Sequence, residues 1–399
     1  MARRGIEAAT LTLPWSFSGD RSPKRPSADG SVLIIAAVLA AVGLIMVFSA
    51  SAVVAGNRFH DSIYFLKRQL VWLLLGFLLL QVASRLDYTV WRRLALPVLG
   101  VTALCLIVVL IPSLGLMAKG ARRWLKLGPF SMQPAELAKL VVILYLANYL
   151  TNKEGRLQDF ASGVLPPLVI VGLLSGLVLL QPDLGTVVVI GTVTMGLLFL
   201  AGAPLRYLGG LVLIAVPVAG ALILGSSYRR QRLMTFLAPW KDPTDAGFQV
   251  TQSFLAFGSG GPFGVGLGEG KQKLFFLPEA HTDFVLALIG EELGFLGTVA
   301  IMALFAMLVL KGFQIAGRAR EPFGRYLALG IALLFGVQSL INACVVTGLL
   351  PTKGLTLPLV SYGGSSLMVS LLCIGILLSI SRDRKAGRPG GYGSGIVGT

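Results

Sequence analysis

Charge is what this 399-residue chain is shortest of: 13% of its residues are charged and 55% are hydrophobic, where a soluble domain carries roughly 25% charged residues. That shortage excludes an ordinary soluble fold and points to an integral membrane protein. Alternating ten-residue strands are missing too, which excludes a transmembrane barrel. Histidine occurs only as His60 and His281, so a histidine-built metal site is not expected. Cys105, Cys344 and Cys373 lie in apolar stretches without CxxC spacing; they read as packing residues, not as a disulfide framework or a zinc site. No GK[ST] follows the glycines of 258–270 and no strand pattern precedes them, which excludes a P-loop and a dinucleotide fingerprint. No serine or cysteine stands beside His281 and Asp283 as a nucleophile. Acids are outnumbered by bases, 18 to 34, for a net charge of +16. Without an aromatic-plus-basic module, that excess reads as anchoring to anionic lipid headgroups, not as nucleic-acid binding.

What the chain has is long apolar runs. Ten spans are read at 32–54, 63–84, 94–113, 134–151, 164–181, 184–201, 206–226, 283–310, 324–350 and 361–381. Runs of about 20 apolar residues cross a bilayer as helices. The fold class is therefore an all-α polytopic membrane protein of about ten transmembrane helices, with one large extracytoplasmic loop, 227–282, between helices 7 and 8. Spans four and eight each carry charge near their starts. Residues 1–31 read as a disordered cytoplasmic arm, 32–382 as the membrane domain and 383–399 as a cytoplasmic tail; the first apolar run is too long for a cleaved signal. The flanks on the side of the termini hold 19 Lys and Arg, the short loops opposite hold 8. Cationic flanks stay in the cytoplasm, so both termini are expected inside and the long loop outside.

That orientation collects four polar stretches, 119–139, 181–186, 227–283 and 351–366, on the outer side. The first runs through Arg122-Arg123-Trp124 to Gln133-Pro134-Ala135-Glu136-Leu137-Ala138-Lys139. Pro134 suits a first helical turn, and Gln133, Glu136 and Lys139 then share roughly one face. Ionisable groups inside a span usually face a cavity, so Lys139 with Arg122 and Arg123 is read either as meeting an anion or, for Lys139, as pairing with Glu136. Trp124 serves equally as an interface anchor. Gln181-Pro182-Asp183 is a site element or a tight turn whose Asp183 caps the next helix. The long loop carries Arg232 and seven glycines between 258 and 270, which suit close backbone approach or a linker. It ends at Glu279, His281 and Asp283, where a carboxylate at a low-dielectric boundary suits a general base or a helix cap. Lys353, between Pro351 and Pro358, leads into Ser361-Tyr362-Gly363-Gly364-Ser365-Ser366, either a phosphate cradle or a capped loop. Together these suggest an outward site for a large anionic, lipid-linked substrate.

The joint occurrence of Gln133-Pro134-Ala135-Glu136, Gln181-Pro182-Asp183-Leu184-Gly185-Thr186, Pro278-Glu279-Ala280-His281-Thr282-Asp283-Phe284 and Ser361-Tyr362-Gly363-Gly364-Ser365-Ser366, in order over about residues 32–382, resembles the SEDS family (shape, elongation, division and sporulation). Pro351-Thr352-Lys353-Gly354-Leu355-Thr356-Leu357-Pro358 and Ala280 look more like its division branch than its elongation branch. The resemblance implies a peptidoglycan glycosyltransferase that polymerises lipid II at the division septum of the inner membrane. It implies Asp283 as the catalytic base, undecaprenyl pyrophosphate as the leaving group and inversion at the anomeric carbon. Its implied partners are lipid II, a class B penicillin-binding protein transpeptidase of the FtsI type and other division proteins. A divalent cation, Mg or Mn, would share the pyrophosphate charge, although the sequence shows no ligand cluster for one. The competing readings are a lipid II flippase and a non-catalytic scaffold.

Overall fold

The computed structural model describes residues 29–383 apart from 119, 129, 154, 242–246, 275–276 and 278–279. The arm up to residue 28, the tail from 384, and Lys119 and Glu279 therefore lie outside the described residues. The chain first builds α1 (Gly30–Phe59), α2 (Tyr64–Arg85) and α3 (Thr89–Val108). A small sheet follows, β1 (Gly115–Ala118), β2 (Ala121–Leu127) and β3 (Phe130–Met132), antiparallel in the order β1-β2-β3. Next come α4 (Pro134–Asn152), α5 (Leu165–Leu179), α6 (Leu184–Leu200) and α7 (Leu205–Leu224). Beyond them lie α8 (Ser227–Leu237), α9 (Phe248–Gly260), α10 (Val285–Glu292), α11 (Gly294–Arg318), α12 (Pro322–Val346) and α13 (Gly364–Arg382).

Among the described residues, eight helical segments are long and apolar enough to cross a membrane: α1, α2, α3, the 160–179 segment ending in α5, α7, α11, α12 and α13. Of the other expected spans, α6 is apolar but only 17 residues long, and α4 carries Glu136 and Lys139 in its first turns. Local signals set several starts. Asp29 caps α1 by accepting the Ser31 amide at 3.2 Å, and Pro134 and Pro322 occupy first turns, where a missing N–H costs nothing.

Three expectations are corrected. Span three ends at Val108, not near 113, because residues 115–132 form the sheet; positive-φ glycines at 120 and 128 make its turns. Span eight is not one helix. It breaks between α10 and α11 at Leu293 and Gly294, whose φ is +72°. The loop 227–282 is not a bare connection, since it holds α8 and α9.

In the bundle, α4 is buried almost throughout and packs against α3, α6, α12 and α13. By contrast, α7 stands at the edge with only Leu208 buried. Asp29 and Asp383, the first and last described residues, lie at one end of the bundle. There Tyr88 Oη donates to Asp383 at 3.0 Å, Arg320 pairs with Asp383 at 3.2 Å, and the Asp29 amide donates to Ser381 Oγ at 3.1 Å. The polar stretches singled out in the sequence lie at the other end.

Candidate active site

Four sequence-distant segments meet at that opposite end. The Gln133 amide donates to Ser365 Oγ at 3.0 Å, joining the start of α4 to the start of α13, and Gln133 Nε2 reaches Asp183 Oδ2 at 3.4 Å. Arg123, on β2, donates to the Gln181 and Pro182 carbonyls at 2.8 and 2.7 Å. Arg232, on α8, donates to the Thr352 carbonyl at 2.8 Å. The Tyr362 amide donates to the His281 carbonyl at 2.9 Å. His281 also packs its ring against Phe65 and Tyr362, with centroids 4.9 and 5.6 Å away.

Asp283 sits where these segments converge. It does not occupy the N-cap position of α10, which is Phe284. Its carbonyl accepts from Asn342 Nδ2 at 2.9 Å, and the same amide donates to the Leu355 carbonyl at 2.7 Å. One residue of α12 thus ties the acid's backbone to the 351–358 loop. A β-carbon on Gly354 would lie 2.9 Å from Asp283 Oδ2, so the loop's backbone runs directly against the carboxylate. Next to it, Lys353 is half-buried in a loop outside the spans. Burial holds its ammonium below the ordinary lysine value, while the Asp183 carboxylate pulls it back up.

The other candidates fall into distinct positions. Lys139 is 3% exposed and pairs with Glu136 at 2.8 Å, and its ammonium also donates to Gln338 Oε1 at 3.0 Å. The space beside this cluster is about 10 Å³, room for one water at most. Of the two readings of Lys139, the intrahelical pair is the one the geometry forms. Asp183 caps α6, accepting the Thr186 amide at 3.1 Å. Gln181 is 0% exposed and donates to the Leu106 carbonyl at 3.1 Å. Ser361 Oγ accepts from the Leu357 amide at 2.8 Å, and Gly363 N faces Gln69 Oε1 at 3.4 Å. The hydroxyls and glycines of 361–365 thus brace α4, α2 and the 351–358 loop. Arg122 and Trp124 remain half-exposed on β2, and Arg122 makes no ion pair among the described residues.

Sequence reasoning missed Gln338, Asn342 and Gly354. The first two had a signal: an amide pair four residues apart on one face of an apolar span, where unpartnered polar groups are costly. Gly354 had none, because its significance is a contact between segments 71 residues apart. Among the described residues no three His, Cys, Asp or Glu side chains are grouped to hold a metal ion.

Comparison with known proteins agrees over nearly the whole chain. The model of the FtsW, RodA and SpoVE family, described as cell cycle protein, matches residues 30–386. A probable peptidoglycan glycosyltransferase FtsW of Geobacter sulfurreducens is 51% identical over 357 residues, covering 90% of this chain and 96% of the relative. Stage V sporulation protein E of Bacillus subtilis is 42% identical over 363 residues, covering 90% and 98%. Among solved structures, a chain described under structural coordination of polymerization and crosslinking by a peptidoglycan synthase complex superposes with a TM-score of 0.73 at 32% identity, covering 90% and 98%. The rod shape determining protein RodA of Thermus thermophilus gives 0.66 at 32% identity over the same shares.

Proposed function

The chain belongs to the FtsW, RodA and SpoVE family of cell cycle proteins, and we propose that it is a multi-pass membrane peptidoglycan glycosyltransferase that polymerises lipid II, with Asp283 as general base. The observation that carries this is the Asp283 carboxylate set against the backbone of Gly354, in the loop whose Lys353 feels the Asp183 carboxylate of a second polar segment. In the proposed reaction, Asp283 takes the proton from the 4-hydroxyl of the acceptor sugar. The freed oxygen attacks the anomeric carbon of the donor, and undecaprenyl pyrophosphate leaves with inversion. A developing diphosphate needs fixed positive charge. Lys353 and Arg122 are the cations with capacity to supply it, whereas Lys139 and Arg123 are committed to protein partners. A divalent cation accompanying the diphosphate would be carried by its phosphate oxygens, with no preformed protein cluster among the described residues.

The two ends of the bundle fit a site at the outer face. The end of the bundle that holds Asp29 and Asp383 also holds Lys311 and Arg320, and cation-rich flanks stay in the cytoplasm. The uncovered edge at α7 suits a lipid that reaches the site sideways from the bilayer. The relative at 51% identity carries the FtsW name and the RodA structure stands at 32%, which favours the division branch and action at the septum. The similarity to a chain of a synthase complex that couples polymerization to crosslinking supports a crosslinking partner of the penicillin-binding class. The direct experiment is polymerisation of lipid II by the purified protein with that partner. Glycan strands are expected; transfer of lipid II between leaflets without strand formation would overturn the reading in favour of a flippase.

A further inference from the structure

A second group of buried charges, unused by the proposed chemistry, closes the far end of α10. Glu291 and Glu292 are 2% and 1% exposed. Glu292 Oε1 accepts from Lys273 Nζ at 2.9 Å and from Ser49 Oγ, on α1, at 2.6 Å; its Oε2 accepts from the Gly268 amide at 3.1 Å. Lys273 also donates to the Gly268 carbonyl and, at 3.1 Å, to Ser49 Oγ. Glu291 accepts from the backbone amides of Lys271 at 2.7 Å and Gln272 at 3.2 Å. The backbone follows the same path, with Val265 and Gly266 amides donating to the Glu291 and Glu292 carbonyls at 3.0 and 3.1 Å. Only glycine permits that wrap. Gly264 has φ +84° and a β-carbon there would lie 2.2 Å from the Glu292 carbonyl oxygen.

The glycine-rich segment is therefore a collar around the end of a short rod. Helix α10 has eight residues, all buried, about 12 Å of length, and Asp283 stands two residues ahead of it. Asn342 and Tyr362 hold the Asp283 end through backbone carbonyls. Lys273 lies at one end of the rod and Asp283 at the other.

We propose that the Lys273–Glu292 pair, inside its glycine collar, is a latch that fixes α10 and so sets the Asp283 carboxylate against Gly354, which makes Lys273 and Glu292 positioning residues for glycosyl transfer. This rests on the reading of Asp283 as the base. A buried pair that loses one member leaves an uncompensated charge, whereas losing both members leaves none. The collar's hydrogen bonds would persist in the second case and part of the alignment with them.

The test compares Lys273→Met, Glu292→Gln and the double variant in the complex with the crosslinking partner. The single variants are expected to lower kcat about tenfold to a hundredfold, the cost of a misplaced catalytic group, with KM within about twofold of wild type, the mark of an interaction made in the transition state. The double variant is expected to lose less than the two singles combined, and hydrogen exchange of the amides from Ala280 to Leu288 is expected to speed up in all three. Wild-type kcat in the singles, or a loss confined to KM, would overturn the latch. If the singles fail to fold, the double variant decides, and exchange at 280–288 equal to wild type overturns the proposal. A wild-type protein that forms no glycan, with exchange still accelerated in the variants, would remove the glycosyltransferase reading and leave the latch in place.

Discussion

Gly354 and Asp283 are in contact: the α-carbon of the glycine faces the carboxylate so closely that a methyl group would come to 2.9 Å of Oδ2. The atom met is the end of a side chain, which can swing aside at small cost to the fold. Gly354→Ala is therefore expected to leave the thermal unfolding temperature near wild type while lowering kcat about tenfold to a hundredfold, since displacement of a reacting group by about an ångström has costs of that order. Turnover and unfolding measured on the same preparation separate the two effects. Wild-type turnover would show that the approach of loop and acid is incidental.

Lys353 gives a pH signature. Burial lowers its pKa from the ordinary lysine value, which is about 10.4. The charged form exists below that pKa and is lost as pH rises through it. If the charge steadies the leaving diphosphate, kcat/KM falls on the alkaline side, beginning at a lower pH than an exposed lysine would give. Lys353→Arg should remove that limb, because a guanidinium stays protonated up to a pH of about 12. Lys353→Ala should lower turnover near neutral pH by about a hundredfold.

The Glu136–Lys139 pair is expected to act on stability. Lys139→Met leaves Glu136 buried without its cation, which should cost about 3–5 kcal/mol and lower the unfolding temperature. Adding Glu136→Gln should recover much of it. A raised KM at unchanged stability would instead mean that Lys139 meets the substrate.

Asn342 carries two carbonyls on one amide. Asn342→Leu leaves both without that donor, at about 1–3 kcal/mol for each buried group left unsatisfied. Thermal unfolding should shift down, and kcat should fall with it as Asp283 loses its tie to the 351–358 loop. A fall in stability alone would detach Asn342 from the site.

How far the sequence could be read depended on the range of the forces involved. Apolar length is a local property, so the long helices were legible, and Asp183, a cap signal followed by an apolar run, does cap α6. Asp283 was legible as a candidate, because it stands at an abrupt change from polar to apolar sequence. The break at Gly294 was not. Apolar residues resume directly after Gly290-Glu291-Glu292-Leu293-Gly294, so the run reads as one span, and the collar of residues 264–273 shows only once Glu291 and Glu292 are seen to be its centre. The sheet at 115–132 was hidden similarly, since strands of four, seven and three residues are too short for a periodic signal. Lys139 shows the limit most plainly. Its spacing from Glu136 allowed both a pair and an anion site, and Gln338, 199 residues away, completes the pair.

The most direct test is Asp283→Asn, which keeps the shape of the side chain and removes its capacity to take a proton. The purified variant, folded and bound to its crosslinking partner, is incubated with lipid II and the products are resolved by length. No glycan strand is expected above background. Polymerisation at the wild-type rate would contradict the assignment of Asp283 as the base.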